Sequence, residues 1–196
     1  MRNKKKQPVQ MPELEEIERE IERLQNKKNW RNALQSTVYT LIVVAAIAVL
    51  IVMLYMPVLR VSGTSMEPNL NDGDIIVGVK SGEFETGQVC SFYYNNRLLL
   101  KRVIANAGDV VEIDADGYVY VNGEMLDEPY VIERGLGICD IEFPYQVPDG
   151  QVFVLGDHRT TSIDSRSSVV GCINVDEIVG KMFFRVWPLE DIGIVK

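Results

Sequence analysis

The chain has 196 residues, with 20 Lys+Arg against 28 Asp+Glu for a formal net charge of −8, three cysteines and one histidine. Its length suits one modest domain with appendages. An apolar content of 46% with 24% charge excludes a disordered chain, and a mean hydropathy near zero excludes several membrane spans while allowing one.

Charge is uneven along the chain. Residues 1–36 hold nine basic and six acidic side chains, and the remainder eleven basic and twenty-two acidic. The body therefore lacks the clustered cations that nucleic acid requires, and no nucleic-acid partner is predicted. Residues 1–36 include PELEEIEREIERLQNKKNW, in which Leu14, Ile17, Ile21 and Leu24 recur at helical spacing behind an acidic start and before a basic end. That pattern predicts a short amphipathic helix, to which no chemistry is assigned.

No charged residue lies between Arg31 and Arg60, and Thr37–Met56 is an almost unbroken apolar run of 20 residues. This predicts one transmembrane helix over 37–56, longer and farther from the N-terminus than the apolar core of a cleaved leader. Lys4, Lys5, Lys6, Lys27, Lys28 and Arg31 precede the run, whereas the near flank after it offers only Arg60. The basic side predicts a cytoplasmic N-terminus, a lipid bilayer around the span, and residues 57–196 outside the cytoplasm.

After the span, short apolar runs alternate with glycine and asparagine. Asp74–Val79, Val89–Tyr94, Arg97–Ile104, Val110–Ile113, Tyr118–Val121, Gln151–Leu155 and Lys181–Val186 all read as strands. Asn95-Asn96, Asp116-Gly117 and Asn122-Gly123 read as hairpin turns. The fold class predicted is mainly β, a coiled antiparallel sheet or sandwich-like domain preceded by one transmembrane helix and a short cytoplasmic helical tail.

Cys90, Cys139, Cys172 and His158 are too scattered for a zinc site, so no metal is predicted, and each cysteine reads best as a small buried apolar residue. Lys101 lies inside a strand between the same-face residues Leu99 and Val103, where desolvation favours the neutral amine of a general base; a lysine snorkelling at a sheet edge is the plainer alternative. SGTSMEPNL, residues 62–70, is an irregular segment able to expose Ser65, or simply a turn rich in Ser and Gly. GDHRTTSIDSR, residues 156–166, places Asp164 and Arg166 two apart, as an ion pair would be.

Together these three segments resemble the bacterial type I signal peptidases, over most of the chain from the span to FFRVWPL. The resemblance implies a membrane-anchored serine endopeptidase that removes signal peptides from secretory preproteins. Ser65 would be its nucleophile, with Gly63, Met66 and Pro68 shaping the loop, and Lys101 its general base, followed by Arg102. Ser162 would orient the lysine, Asp164 and Arg166 would form a structural pair, and Asp157 and Arg159 belong to the same segment. The oxyanion would rest on the Ser65 backbone N–H and a second donor, Ser62 or Thr64, because Gly63 has no hydroxyl to give. No metal or organic cofactor is implied. Preproteins are the expected partners, with transient contact to the secretion machinery. His158 invites a rival Ser/His reading, although the lysine position is filled. The 54 residues between Lys101 and Gly156 fit the compact form typical of Gram-positive bacteria. An anchored binding domain without activity and a relative of the self-cleaving Ser/Lys repressors are the remaining alternatives.

Overall fold

The computed structural model describes residues 14–195. Leu14–Tyr55 is a single α-helix, α1, of 42 residues and about 63 Å at 1.5 Å per residue. The amphipathic and apolar segments expected as separate elements therefore run on without a break. Neither proline nor glycine occurs between Leu14 and Tyr55, so nothing in this stretch forces a stop. Pro57, which has no N–H to give, follows the last helical bond from Met56 N to Val52 O at 2.8 Å. No residue of α1 is buried, and the helix is long and apolar enough to cross a membrane. Lys4, Lys5 and Lys6 lie outside the described residues.

The chain divides into two compact units, one ending at Ile51 and the other beginning at Val52. The second is built from short strands: β1 Val58–Arg60, β2 Ile75–Val79, β3 Val89–Tyr94, β4 Arg97–Ala105, β5 Val110–Ile113 and β6 Val119–Val121, then β7 Glu124–Met125, β8 Tyr145–Gln146, β9 Gln151–Leu155, β10 Ile173–Asn174, β11 Ile178–Trp187 and β12 Gly193–Ile194. The larger sheet runs β1-β2-β11-β3-β4-β9-β10 with β12 added to β11, and the smaller runs β7-β6-β5-β8. The pairings are antiparallel.

The mainly antiparallel fold matches the sequence expectation, and all seven predicted runs contain strands. Asn95 and Asn96 sit at φ 47° and 59° between β3 and β4, and Asn122 and Gly123 at 55° and 82° between β6 and β7. Two successive positive φ values match the right-handed twist of the strands they join. β1, β7, β8, β10 and β12 were not predicted, because two or three residues are too few to show alternation.

Apolar side chains of β4 and β9 divide between two clusters. Ile104, Phe153 and Leu155 pack with Val111, Ile113 and Val119 of the smaller sheet, whereas Val103 and Val154 join Cys90 and Phe92. A third cluster holds Met66 and Leu70 of the loop after β1 against Ile76, Val89, Leu100 and Met182. All three cysteines are free. Only Cys90 is buried, which corrects the expectation for Cys139 and Cys172; they lie in irregular segments ahead of β8 and β10 and are partly exposed.

Candidate active site

The loop carrying Ser65 is pinned on both flanks. Met66 and Leu70 are buried, Leu70 N donates to Met66 O at 2.9 Å, and Glu67 N donates to Thr64 O at 3.1 Å. Gly63, at φ +91°, donates its N–H to Asp72 Oδ1 at 2.8 Å. A left-handed φ favours glycine, and the turn it allows leaves Ser62, Gly63 and Thr64 exposed. Ser65 itself is half-buried, and its N–H donates to no acceptor among the described residues. Pro68 is exposed beside it.

β4 brings Lys101 to this loop. Its Nζ lies 2.8 Å from Ser65 Oγ, and its side chain is only 3% exposed. Burial pushes the lysine below its ordinary pKa, against opposing attraction from Asp164, Cys90 and Asp157, while Arg166 lowers it further. The opposing attractions are each smaller than the desolvation. Cys90, directly across from Lys101 in the β3–β4 register, has its thiol pushed up to about 12 by burial and is uncharged at neutral pH. The two carboxylates are each neutralised by an arginine. Desolvation therefore decides the direction, toward a neutral amine.

Those arginine pairs form the frame around the lysine. Arg166 donates to both oxygens of Asp164 at 2.8 Å, as the two-residue spacing predicted, and also reaches the carbonyls of Arg159 and Leu136. Asp164 Oδ2 accepts the Gly156 N–H at 3.0 Å. Arg102 donates to both oxygens of Asp157 and to Gly87 O, and its guanidinium lies 3.9 Å from the Tyr130 ring centroid. Asn69 Nδ2 bridges Asp157 Oδ2 and Tyr130 O. Arg159 pairs with the buried Glu128 and donates to Gly156 O.

Glu128, Asn69 and Tyr130 were missed by sequence reasoning. Glu128 lies 31 residues from its arginine, and no local spacing marks such a pair.

Ser162 and His158 depart from expectation. Ser162 is fully buried beside the loop, but its Oγ has no hydrogen-bond partner among the described residues, so the expected bond to Lys101 is not formed. His158 touches the site through its backbone, donating its N–H to Ser65 O at 3.1 Å. Its ring instead lines a separate cavity of about 190 Å³ with Glu67, Pro68, Ile132 and Glu133, and Nδ1 is unpartnered. The imidazole is not hydrogen-bonded to Ser65 Oγ, and the Ser/His reading loses its support.

Ser65 opens onto two cavities. One of about 570 Å³ is lined with Lys101 by Tyr94, Arg97, Leu99, Ile163 and Val170. The other, about 30 Å³, is lined by Ser62, Gly63, Met66 and Leu98–Leu100. A hydroxyl on a desolvated amine, beside an unused backbone N–H and a groove, is an arrangement suited to acyl transfer.

The profile of the family described as "Signal peptidase, peptidase S26" matches residues 34–187. Signal peptidase IB of Staphylococcus aureus (strain COL) is 39% identical over 151 residues, covering 67% of this chain and 78% of the relative. Signal peptidase I of Bacillus licheniformis is 34% identical over 145 residues, covering 67% and 77%. A crystal structure of a signal peptidase I from Enterococcus faecalis V583 aligns at 26% identity and a TM-score of 0.43, over 50% of this chain and 96% of that one.

Proposed function

The chain belongs to the signal peptidase family, peptidase S26, and from that premise we propose that it cuts signal peptides from secretory preproteins with Ser65 and Lys101 as its catalytic pair. The observation carrying this reading is the 2.8 Å approach of Ser65 Oγ to the buried Lys101 Nζ. Ser65 Oγ attacks the scissile carbonyl while neutral Lys101 takes its proton. The oxyanion is received by the Ser65 N–H, with Ser62 or Thr64 supplying a second donor. Lys101 returns the proton to the departing amine, leaving a Ser65 ester, then takes a proton from the water that attacks it and passes that proton to Ser65 Oγ as the ester bond breaks. Ser162 turns its buried hydroxyl to Lys101 during the reaction and holds the amine toward Ser65. No metal or organic cofactor is needed for these steps.

The preprotein binds as an added strand. β4 pairs with β3 over Arg97–Arg102 and with β9 only from Arg102 onward, so Arg97–Lys101 has an open edge at the site. The small cavity under Leu98–Leu100 suits small side chains next to the cut. The run Thr37–Met56, helical in α1 as far as Tyr55, spans the bilayer, with the basic N-terminal segment cytoplasmic and residues 57–196 outside. Ser65, nine residues beyond Met56, then lies within about 30 Å of the span's end even if the chain between is fully extended. That holds it near the emerging cleavage site.

The test is mass spectrometry of a preprotein incubated with the detergent-solubilised chain and its Ser65→Ala and Lys101→Ala variants. A single cut after a small-x-small sequence, absent with both variants, is expected. Absence of cutting by the folded parent protein across several signal sequences would overturn the reading.

A further inference from the structure

Arg97, Leu99 and Lys101 alternate along one face of β4 and line the same cavity of about 570 Å³ as Ser65. Seven arginines follow α1. Four are held in ion pairs with carboxylates, and Arg134 stacks on the Tyr118 ring at 4.6 Å. Arg60 and Arg97 are left with no carboxylate partner among the described residues, and Arg60 lies against Gly73. Arg97 is exposed in a body with twenty-two acidic residues to eleven basic ones. Neutralising acids were abundant, yet none is placed against it.

A peptide added to the open edge of β4 advances in step with it, at about 3.3 Å per residue. Side chains on one face of both strands then recur every second residue. When the scissile residue stands at Lys101, the residue four positions away stands at Arg97, about 13 Å along the groove. We propose that Arg97 determines specificity by receiving the carboxylate of an Asp or Glu at that fourth position. This deepens the peptidase reading above and rests on it. A planar guanidinium takes a carboxylate with two parallel hydrogen bonds, which Lys101, buried and directed at Ser65, does not offer.

The experiment uses the full chain in detergent and peptides spanning one small-x-small cut, with Glu, Gln or Lys at the fourth position before the cut or the fourth after it. At one of the two flanks, the parent protein is expected to cut the Glu peptide about fivefold better than the Lys peptide. The difference should lie mainly in KM and shrink at high salt, as for an accessible ion pair. Arg97→Gln should bring the ratio to about one, and Arg97→Glu should invert it. A ratio of one at both flanks in the parent protein, or a preference that survives both substitutions, overturns the proposal. Failure of the parent protein to cut even the Gln peptides, with its fold intact, overturns the underlying peptidase reading and the proposal with it.

Discussion

Arg102 donates from Nε and Nη2 to the two carboxylate oxygens of Asp157, at 2.8 and 2.6 Å, with both side chains buried. The pair ties the residue after Lys101 to the residue after Gly156, and so joins β4 to the segment that touches Ser65 O. Asp157→Ala breaks this buried pair from one side and also removes one of the two acceptors of Asn69 Nδ2. Such a break costs about 3–5 kcal/mol, whereas replacing both partners by apolar groups of similar volume is far milder. Chemical denaturation of the solubilised protein should show a much lower midpoint for Asp157→Ala than for the double variant Arg102→Met with Asp157→Leu. Equal midpoints would mean that the pair contributes little.

Lys101 should show its depressed pKa in both rate and stability. The base must be neutral, so kcat/KM rises with pH through the lysine's pKa, and the rising limb should fall below the ordinary value of about 10.4. The stability consequence has a definite sign. Between the lowered folded pKa and the ordinary unfolded one, the unfolded chain binds the extra proton, so stability falls as pH drops through that window and recovers as pH rises. Lys101→Met should abolish cutting yet raise stability at neutral pH by about 1 kcal/mol, as when an activity-bearing strained group is removed. The gain should fade as pH approaches the unfolded lysine value. Denaturation curves of both proteins at several pH values test this, and a variant less stable than the parent at neutral pH would contradict it.

Gly156 has no room for a side chain. An added Cβ would stand 2.5 Å from Ser162 Cβ and 2.6 Å from Ser65 O, and neither neighbour is the loose end of a flexible chain. Gly156→Ala should cost about 1–3 kcal/mol by overpacking and push Ser65 away from Lys101. Activity should fall by at least tenfold through kcat, a size expected for a displacement of about 1 Å at a reacting group. Parallel melting and initial-rate measurements separate the two effects. An alanine variant with parental stability and rate would show that the contact relaxes freely.

The parts of this arrangement that were legible share a local signal. β4 showed itself as an apolar run interrupted by Lys101, and Asp164 and Arg166 lie two residues apart, as their ion pair requires. The Asn95-Asn96 and Asn122-Gly123 turns were visible because few residues tolerate positive φ. What stayed hidden depends on distant partners. Arg102 and Asp157 are 55 residues apart, and Arg159 meets Glu128 across the fold, so neither pair leaves a period or spacing to read. The Ser65 and Lys101 positions were reached through resemblance to a family, since a lysine in a strand alone favours the snorkelling alternative. The segments read as a tail helix and a span looked like two elements because their polarity changes, although neither proline nor glycine interrupts the backbone from Leu14 to Tyr55.

Ser162 separates a resting contact from one made during the reaction. Its Oγ is buried without a hydrogen-bond partner among the described residues, so in the free protein it contributes no bond that an alanine would break. Replacing an unsatisfied buried hydroxyl costs little and can stabilise, because the desolvation penalty goes with it. Ser162→Ala is therefore expected to melt within about 0.5 kcal/mol of the parent protein, in the range of neutral substitutions. The proposed role of orienting Lys101 applies only during the reaction, when the hydroxyl turns to the amine. The same substitution should then lower kcat by about ten- to hundredfold with KM unchanged, the pattern of an interaction made in the transition state alone. Stopped-time cleavage assays at saturating peptide test this directly. A variant with full kcat would remove Ser162 from the mechanism, and one with a large loss of stability would mean that its hydroxyl is already bonded in the resting site.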